Sequence, residues 1–301
     1  MVMVSAMYDK SGTGTAQDPH TSIAASQGAI MRSIFPKAET MLALACLGLL
    51  ALALFGPAVV QPAHYHEFAD QRTLWGIPFA MDVLSNAAFA LAGAAGGWSL
   101  IMLPSRSLSN VQRAMAALFF TGLVLTAAAS SWYHWQPDDA GLAVDRCGMA
   151  VAFAGLLGLA AAGRVSERGG AALGLAVLVL GPISVQAWSE TGNVLPWATL
   201  QFGGMGLVLW LAMLRPRHAA LGIRWSLVIL AYGAAKLLEL NDQVVHEATG
   251  QLVSGHTLKH VAAALAACPV IAAIRALAHS RQNAAGRARS RSIASRRAGS
   301  A

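Results

Sequence analysis

Long apolar runs broken by short polar clusters dominate this chain from Met41 to Leu277. A helix needs roughly 20 apolar residues to cross the hydrocarbon of a bilayer, and about eight stretches qualify. They are 40–60, 79–103, 112–133, 143–163, 171–188, 195–213, 222–240 and 256–277. Between the fifth and sixth, Trp188, Glu190, Gly192 and Pro196 leave little room for a loop. The pattern predicts an all-α, polytopic membrane helix bundle. The first stretch has a basic patch before it and a Pro-Ala region after it, as a signal peptide does. Its apolar core is longer than an h-region and no small-x-small cleavage site follows, so a retained helix is the preferred reading.

Composition agrees, with 56% hydrophobic and only 12% charged residues. The net charge of +7 is concentrated in a Ser/Ala/Gly-rich tail carrying Arg281, Arg287, Arg289, Arg291, Arg296 and Arg297. That tail has no aromatics to stack on bases, so it reads as a disordered segment beside a membrane and not as a nucleic-acid site. Cys46, Cys147 and Cys268 show neither metal nor disulfide spacing and read as small core residues.

Charge also sorts the loops. Arg106, Arg113, Arg164, Arg168, Arg215, Arg217 and Arg224 fall on one side, with the basic tail. Glu67, Asp70, Asp138, Asp139, Glu190, Asp242 and Glu247 fall on the other. The positive-inside rule makes the first side cytoplasmic, with both termini, as in a bacterial inner membrane. The expected organisation is a disordered cytoplasmic segment over 1–38, a transmembrane helix over 39–62, a membrane domain over 63–278 and a disordered basic tail over 279–301.

The chemistry-bearing residues collect on the acidic side. His256 and His260 lie one helical turn apart in the last apolar run, so both imidazoles share a face and can hold one metal ion. Counting spans brings His134 to the same end, which completes the three-histidine set of a zinc site with one open position. Zinc there brings the pKa of its water to about 7. Asp145, at the start of the following helix, is a candidate proton carrier or orienter of a histidine. Ser130, one turn before His134, is a candidate donor to an oxyanion. Plainer readings stand beside these. Asp145 and Arg146 can form an interfacial ion pair, and Ser130 and Ser131 can serve close helix packing. Asp82 and Ser85 can cap a helix, while Asn86, a turn inside, calls for an interhelical partner. Lys236 and Glu239 read as a structural ion pair. His64 and His66 read as a solvated loop in preference to an accessory metal site or a lid, and His246 receives no role. Trp75, Trp132, Trp135, Trp188 and Trp197 read as interfacial belt anchors.

Ser130-x-x-x-His134, then Asp145, then His256-x-x-x-His260, preceded by Ser85-Asn86, resembles the alkaline ceramidase family. The same pattern marks the wider superfamily of seven-helix membrane hydrolases that includes the adiponectin and progestin receptors. The resemblance covers roughly residues 64–277, and Phe68 to Arg72 with Gly76-Ile-Pro78 is similar to its bacterial members. It implies a seven-helix core, here with one extra N-terminal transmembrane helix. It also implies zinc held by His134, His256 and His260, with Asp145 handling the proton and Ser130 supporting the oxyanion during cleavage of a ceramide-like amide. Eukaryotic ceramidases carry an acidic run that holds calcium. Here only Glu67, Asp70 and Asp82 are available, at a different spacing, so neither calcium dependence nor strict ceramide specificity follows.

The expectation is a zinc-dependent membrane amidohydrolase acting on an N-acyl lipid that reaches the metal sideways through the bundle. The rivals are a receptor of the same architecture with structural zinc, and a transporter. No internal repeat or Gly/Pro-broken helix pair supports the transporter.

Overall fold

A computed structural model of the protein describes residues 19–298, with side chains over 37–283. Readings that fall on 1–18 and 299–301 lie outside the described residues. The chain is an all-α membrane helix bundle, with no strand among the described residues. Its helices are α1 (Pro19–Phe55), α2 (Ala80–Ser85), α3 (Ala87–Met102), α4 (Asn110–Trp135), α5 (Asp139–Arg164) and α6 (Glu167–Thr191). There follow α7 (Leu195–Ala198), α8 (Gly204–Met213), α9 (Trp225–Leu240), α10 (Asp242–Ala248), α11 (Gly255–Leu265) and α12 (Cys268–Ala298).

Seven helical segments among the described residues are long and apolar enough to cross a membrane. The expected 222–240 stretch is the exception: α9 has 16 residues, which at 1.5 Å each reaches only about 24 Å. It is nonetheless a member of the bundle, packed against α11 and α8. The stretch expected over 256–277 is interrupted, α11 ending at Leu265 and α12 beginning at Cys268. Pro269 accounts for the break, since it lacks an N–H and its ring crowds the carbonyl one turn back.

Helix extends further at both ends than the expected disorder allowed. α1 starts at Pro19 and α12 runs to Ala298. The α12 extension grows from an apolar helix that already supplies the costly nucleus, and its Ala, Arg and Gln residues propagate it readily. In α1, Leu44, Leu47, Leu54 and Phe55 face outward, as lipid-facing positions do.

Two ends of the bundle differ in chemistry. At one, arginines cap helix C-termini: Arg113 donates to the carbonyls of Leu100, Leu103 and Pro104, Arg164 to Leu214, and Arg217 to Ala162. Cations suit these carbonyls because they carry the negative end of the helix dipole. The opposite end gathers α2, the last turn of α4, the first turns of α5 and the α10–α11 connection. Asp138 caps α5 by accepting from Gly141 N at 2.7 Å, and Ser254 caps α11 by accepting from Thr257 N at 3.0 Å.

Helices α4 and α5 pack along their lengths and bring His134 and Asp145 to the same end of the bundle. A Cβ added at Gly155 would lie 2.2 Å from Phe119 N and 2.5 Å from its Cα, both rigid backbone atoms. Membrane helices associate through such small residues because lipid offers no hydrophobic drive between them. Gly155→Val is therefore expected to lower the detergent melting temperature, at an overpacking cost of about 1–3 kcal/mol. Gly97→Ala, whose methyl meets nothing within 4 Å, should leave it unchanged.

Candidate metal centre

His134 occupies the last turn of α4, and His256 and His260 the first two turns of α11. All three are buried. Their rings pack edge to face, with centroids 4.7, 5.0 and 5.1 Å apart, and one ligand atom from each lies within 4.8 Å of the other two. The sequence expectation that three imidazoles converge is met.

The group fits a metal ion. Nε2 of His134 and Nε2 of His256 face each other at 3.2 Å, where two lone pairs need a proton or a cation between them. His134 Nδ1 has no hydrogen-bond partner in its buried position. His260 is oriented by Ser85, whose Oγ lies 3.0 Å from the Asp82 carbonyl and 2.8 Å from His260 Nδ1. A carbonyl only accepts, so the single Ser85 proton goes to Asp82 and the hydroxyl accepts from His260 Nδ1–H. That tautomer leaves the lone pair on Nε2, the nitrogen free to ligate.

Backbone positions are fixed as firmly. Asp242 accepts from His256 N at 2.7 Å and, through its other oxygen, from Ala69 N at 3.0 Å. Buried Asp82 accepts from Thr257 Oγ1 at 2.6 Å and ties α2 to α11. The interhelical bonding expected of Asn86 thus belongs to Asp82 and Ser85, since Asn86 donates only to the carbonyl of Asp82. Phe68 covers the histidines, its ring centroid 4.7 Å from that of His134 and 4.4 Å from that of His256.

Ser130 and Asp145 are both buried and line a cavity of about 130 Å³ that His260 also lines. The Ser130 hydroxyl and the Asp145 carboxylate are neighbours on that wall. No hydrogen bond joins Asp145 to a histidine among the described residues, so the orienting role read for it falls to Ser85. The Asp145–Arg146 ion pair does not form. Arg146 turns away to stack over Trp188 at 4.1 Å and donate to Gln61 Oε1 at 2.6 Å. Trp188 and Trp197 are buried in a cluster with Tyr133, Leu142 and Val185, whereas Trp75, Trp132 and Trp135 are exposed as belt anchors should be. The Lys236–Glu239 pair forms at 2.5 Å, and Lys259 joins the same carboxylate at 2.7 Å.

Glu67, Asp70 and Asp82 do not gather into a ligand group. The three histidines form the one metal-competent cluster among the described residues. Cys268 is exposed and not a core residue.

The loop before α2 is latched over the site. His66, expected in a solvated loop, bonds the Tyr133 hydroxyl at 2.9 Å and Asp139 at 3.0 Å. Arg72 grips Asp70 with two donors, at 2.8 and 2.6 Å, and reaches Leu252 O at 2.8 Å. Burial alone would raise the Asp70 carboxyl, but the hydrogen bonds and charge of Arg72, with His246 nearby, outweigh it and hold the group below the usual carboxylate range. Its contribution is therefore complete above the unfolded value of about 3.9 and is lost as pH falls through the lower folded value. Asp70→Asn is expected to lower the melting temperature at pH 7 and to flatten its fall between about pH 5 and pH 2. An unchanged pH profile in the variant would remove this latch from consideration.

No protein-family model matches the chain, and a comparison with curated proteins gives no match.

Proposed function

We propose that the chain is a zinc-dependent membrane amidohydrolase that cleaves an N-acyl lipid of the ceramide type. The carrying observation is that the buried three-histidine cluster opens, through His260, onto a cavity that also exposes Ser130 and Asp145 and is otherwise lined by Phe89, Phe119, Leu123 and other apolar side chains. An acyl chain fits such a lining without leaving an apolar medium. The resemblance to the alkaline ceramidases supports the same reading.

When bound, zinc supplies Lewis acidity at neutral pH. The protein's own groups do the rest. Ser85 holds His260 in the ligating tautomer. Asp145 takes the proton of the attacking water and returns it to the departing amine, which needs a carboxylate free of a cationic partner. Ser130 has one proton to give. It donates to Asp145 while that group is anionic, and turns to the carbonyl oxygen once Asp145 has been protonated, where it stabilises the developing negative charge. The arginine-capped end lies in the cytoplasm in this reading, both termini with it, and the histidines lie in the outer half of a bacterial inner membrane. A reporter fused after Ala301 then works only in a cytoplasmic format.

The deciding assay is fatty-acid release from a panel of N-acyl lipids by purified protein, with His256→Ala as control. Release that the variant lacks supports the hydrolase. Intact, zinc-loaded protein that releases nothing from any of them turns the reading to a receptor with structural zinc.

A further inference from the structure

Three charged residues on the cavity wall have no part in the chemistry above. Lys236 and Glu239 stand on α9 and Lys259 on α11, and all three line the cavity beside Asp145, Ser130 and His260. One carboxylate serves two ammonium groups, Glu239 Oε2 accepting from Lys236 and Oε1 from Lys259. An ammonium carries three donors. Each lysine directs one at Glu239, and neither makes an ion pair with Asp145, the other carboxylate on the wall, so both keep donors to spare.

A simple brace between α9 and α11 would need one lysine and one carboxylate. The second ammonium is costly inside a membrane bundle; the Asp145 carboxylate on the same wall lies near enough to balance its charge but takes none of its donors. Depth along the helices separates the cavity into two parts. Lys236, Glu239 and Lys259 sit near the histidine end, within a turn or so of His260, while Phe119, Leu156, Val228 and Ala266 line it further in. Lys236 also lies 5.5 Å from the ring of Phe202, which faces outward. A lipid with its chain inward therefore brings its polar end to the lysines.

We infer that the lipid accepted by this cavity carries an anion on its polar end, a carboxylate or a phosphate, held by the Lys259 and Lys236 ammonium groups on either side of Glu239. The inference rests on the hydrolase reading for the direction of the amide and adds the charge class of the amine portion: an N-acylated amino acid or amino phosphate in place of a neutral amino alcohol.

Alkylsulfonamides of matched chain length cannot be hydrolysed as amides, so they report binding separately from cleavage. The probes are hexadecylsulfonyl derivatives of glycine, of phosphoethanolamine and of neutral ethanolamine, each competing against a fluorescent acyl probe on detergent-purified protein. The anionic compounds are expected to bind at least about tenfold more tightly than the neutral one, the order of one charge-assisted contact. Which anion binds better tells carboxylate from phosphate. Lys259→Met leaves the Lys236–Glu239 pair neutral and should erase the preference, and Lys259→Arg should keep it. Equal binding of all three compounds by wild type, or a preference that survives Lys259→Met, overturns the inference. If the preference holds but no amide in the panel is cleaved, the hydrolase reading fails and the anion site stands.

Discussion

On the reading proposed above, the wild-type protein is expected to purify with about one zinc ion per chain and to lose it almost completely when His256 is replaced by alanine, and His134→Ala should do the same. The prediction follows from burial as well as from ligand count. The three imidazoles are packed edge to face with 3.2 Å between two of their nitrogens, and no carboxylate among the described residues completes the group if one ring is removed. Metal analysis by mass spectrometry reads this directly. Fatty-acid release should fall to background in the same variants. Ser85→Ala provides a graded control. It removes the acceptor that fixes the His260 tautomer but no ligand, and loss of such an orienting partner typically weakens metal affinity about 10- to 100-fold. Zinc retained at wild-type level in both His256→Ala and His134→Ala would mean that the histidines are packing groups and that the metal sits elsewhere.

Asp145→Asn separates chemistry from assembly. The residue lines the cavity, bonds no histidine and leaves Oδ1 without a partner, so the amide should preserve the fold and the zinc content. Hydrolysis should nonetheless drop by roughly 100- to 10,000-fold, the range spanned by removal of a positioned acid–base group. Ser130→Ala should lose about 100-fold or more for its donor to the developing charge. An Asp145→Asn protein that cleaves at the wild-type rate would remove the proton-carrying role. One that loses zinc would instead make the carboxylate part of the metal site's support.

Much of the bundle was legible without coordinates because membrane spans are set by a length and a polarity that a single residue run displays. The i, i+4 spacing of His256 and His260 was equally plain, and counting helices brought His134 to the same end. The failures share a cause. Asp145 and Arg146 are neighbours in sequence, yet the helix sends their side chains in different directions, one to the cavity and the other to Trp188. Ser85 looked like a helix cap, and its bond to His260 spans elements that only folding brings together. Asp242 and Phe68 carried no sequence signal of their role, since one is an ordinary loop acid and the other an ordinary aromatic. Both became visible through what they touch: the His256 backbone for Asp242, and the rings of His134 and His256 for Phe68.

By itself the sequence determined the solvent this protein folds in, the order of its helices and the three imidazoles that can share a metal, because hydropathy and helical period are local properties. The tertiary structure alone decided which nitrogen of His260 is free, which buried carboxylate faces the cavity without a cation, and that Lys259 meets Lys236 across one glutamate. Those are matters of side-chain direction between helices, and direction is set by packing.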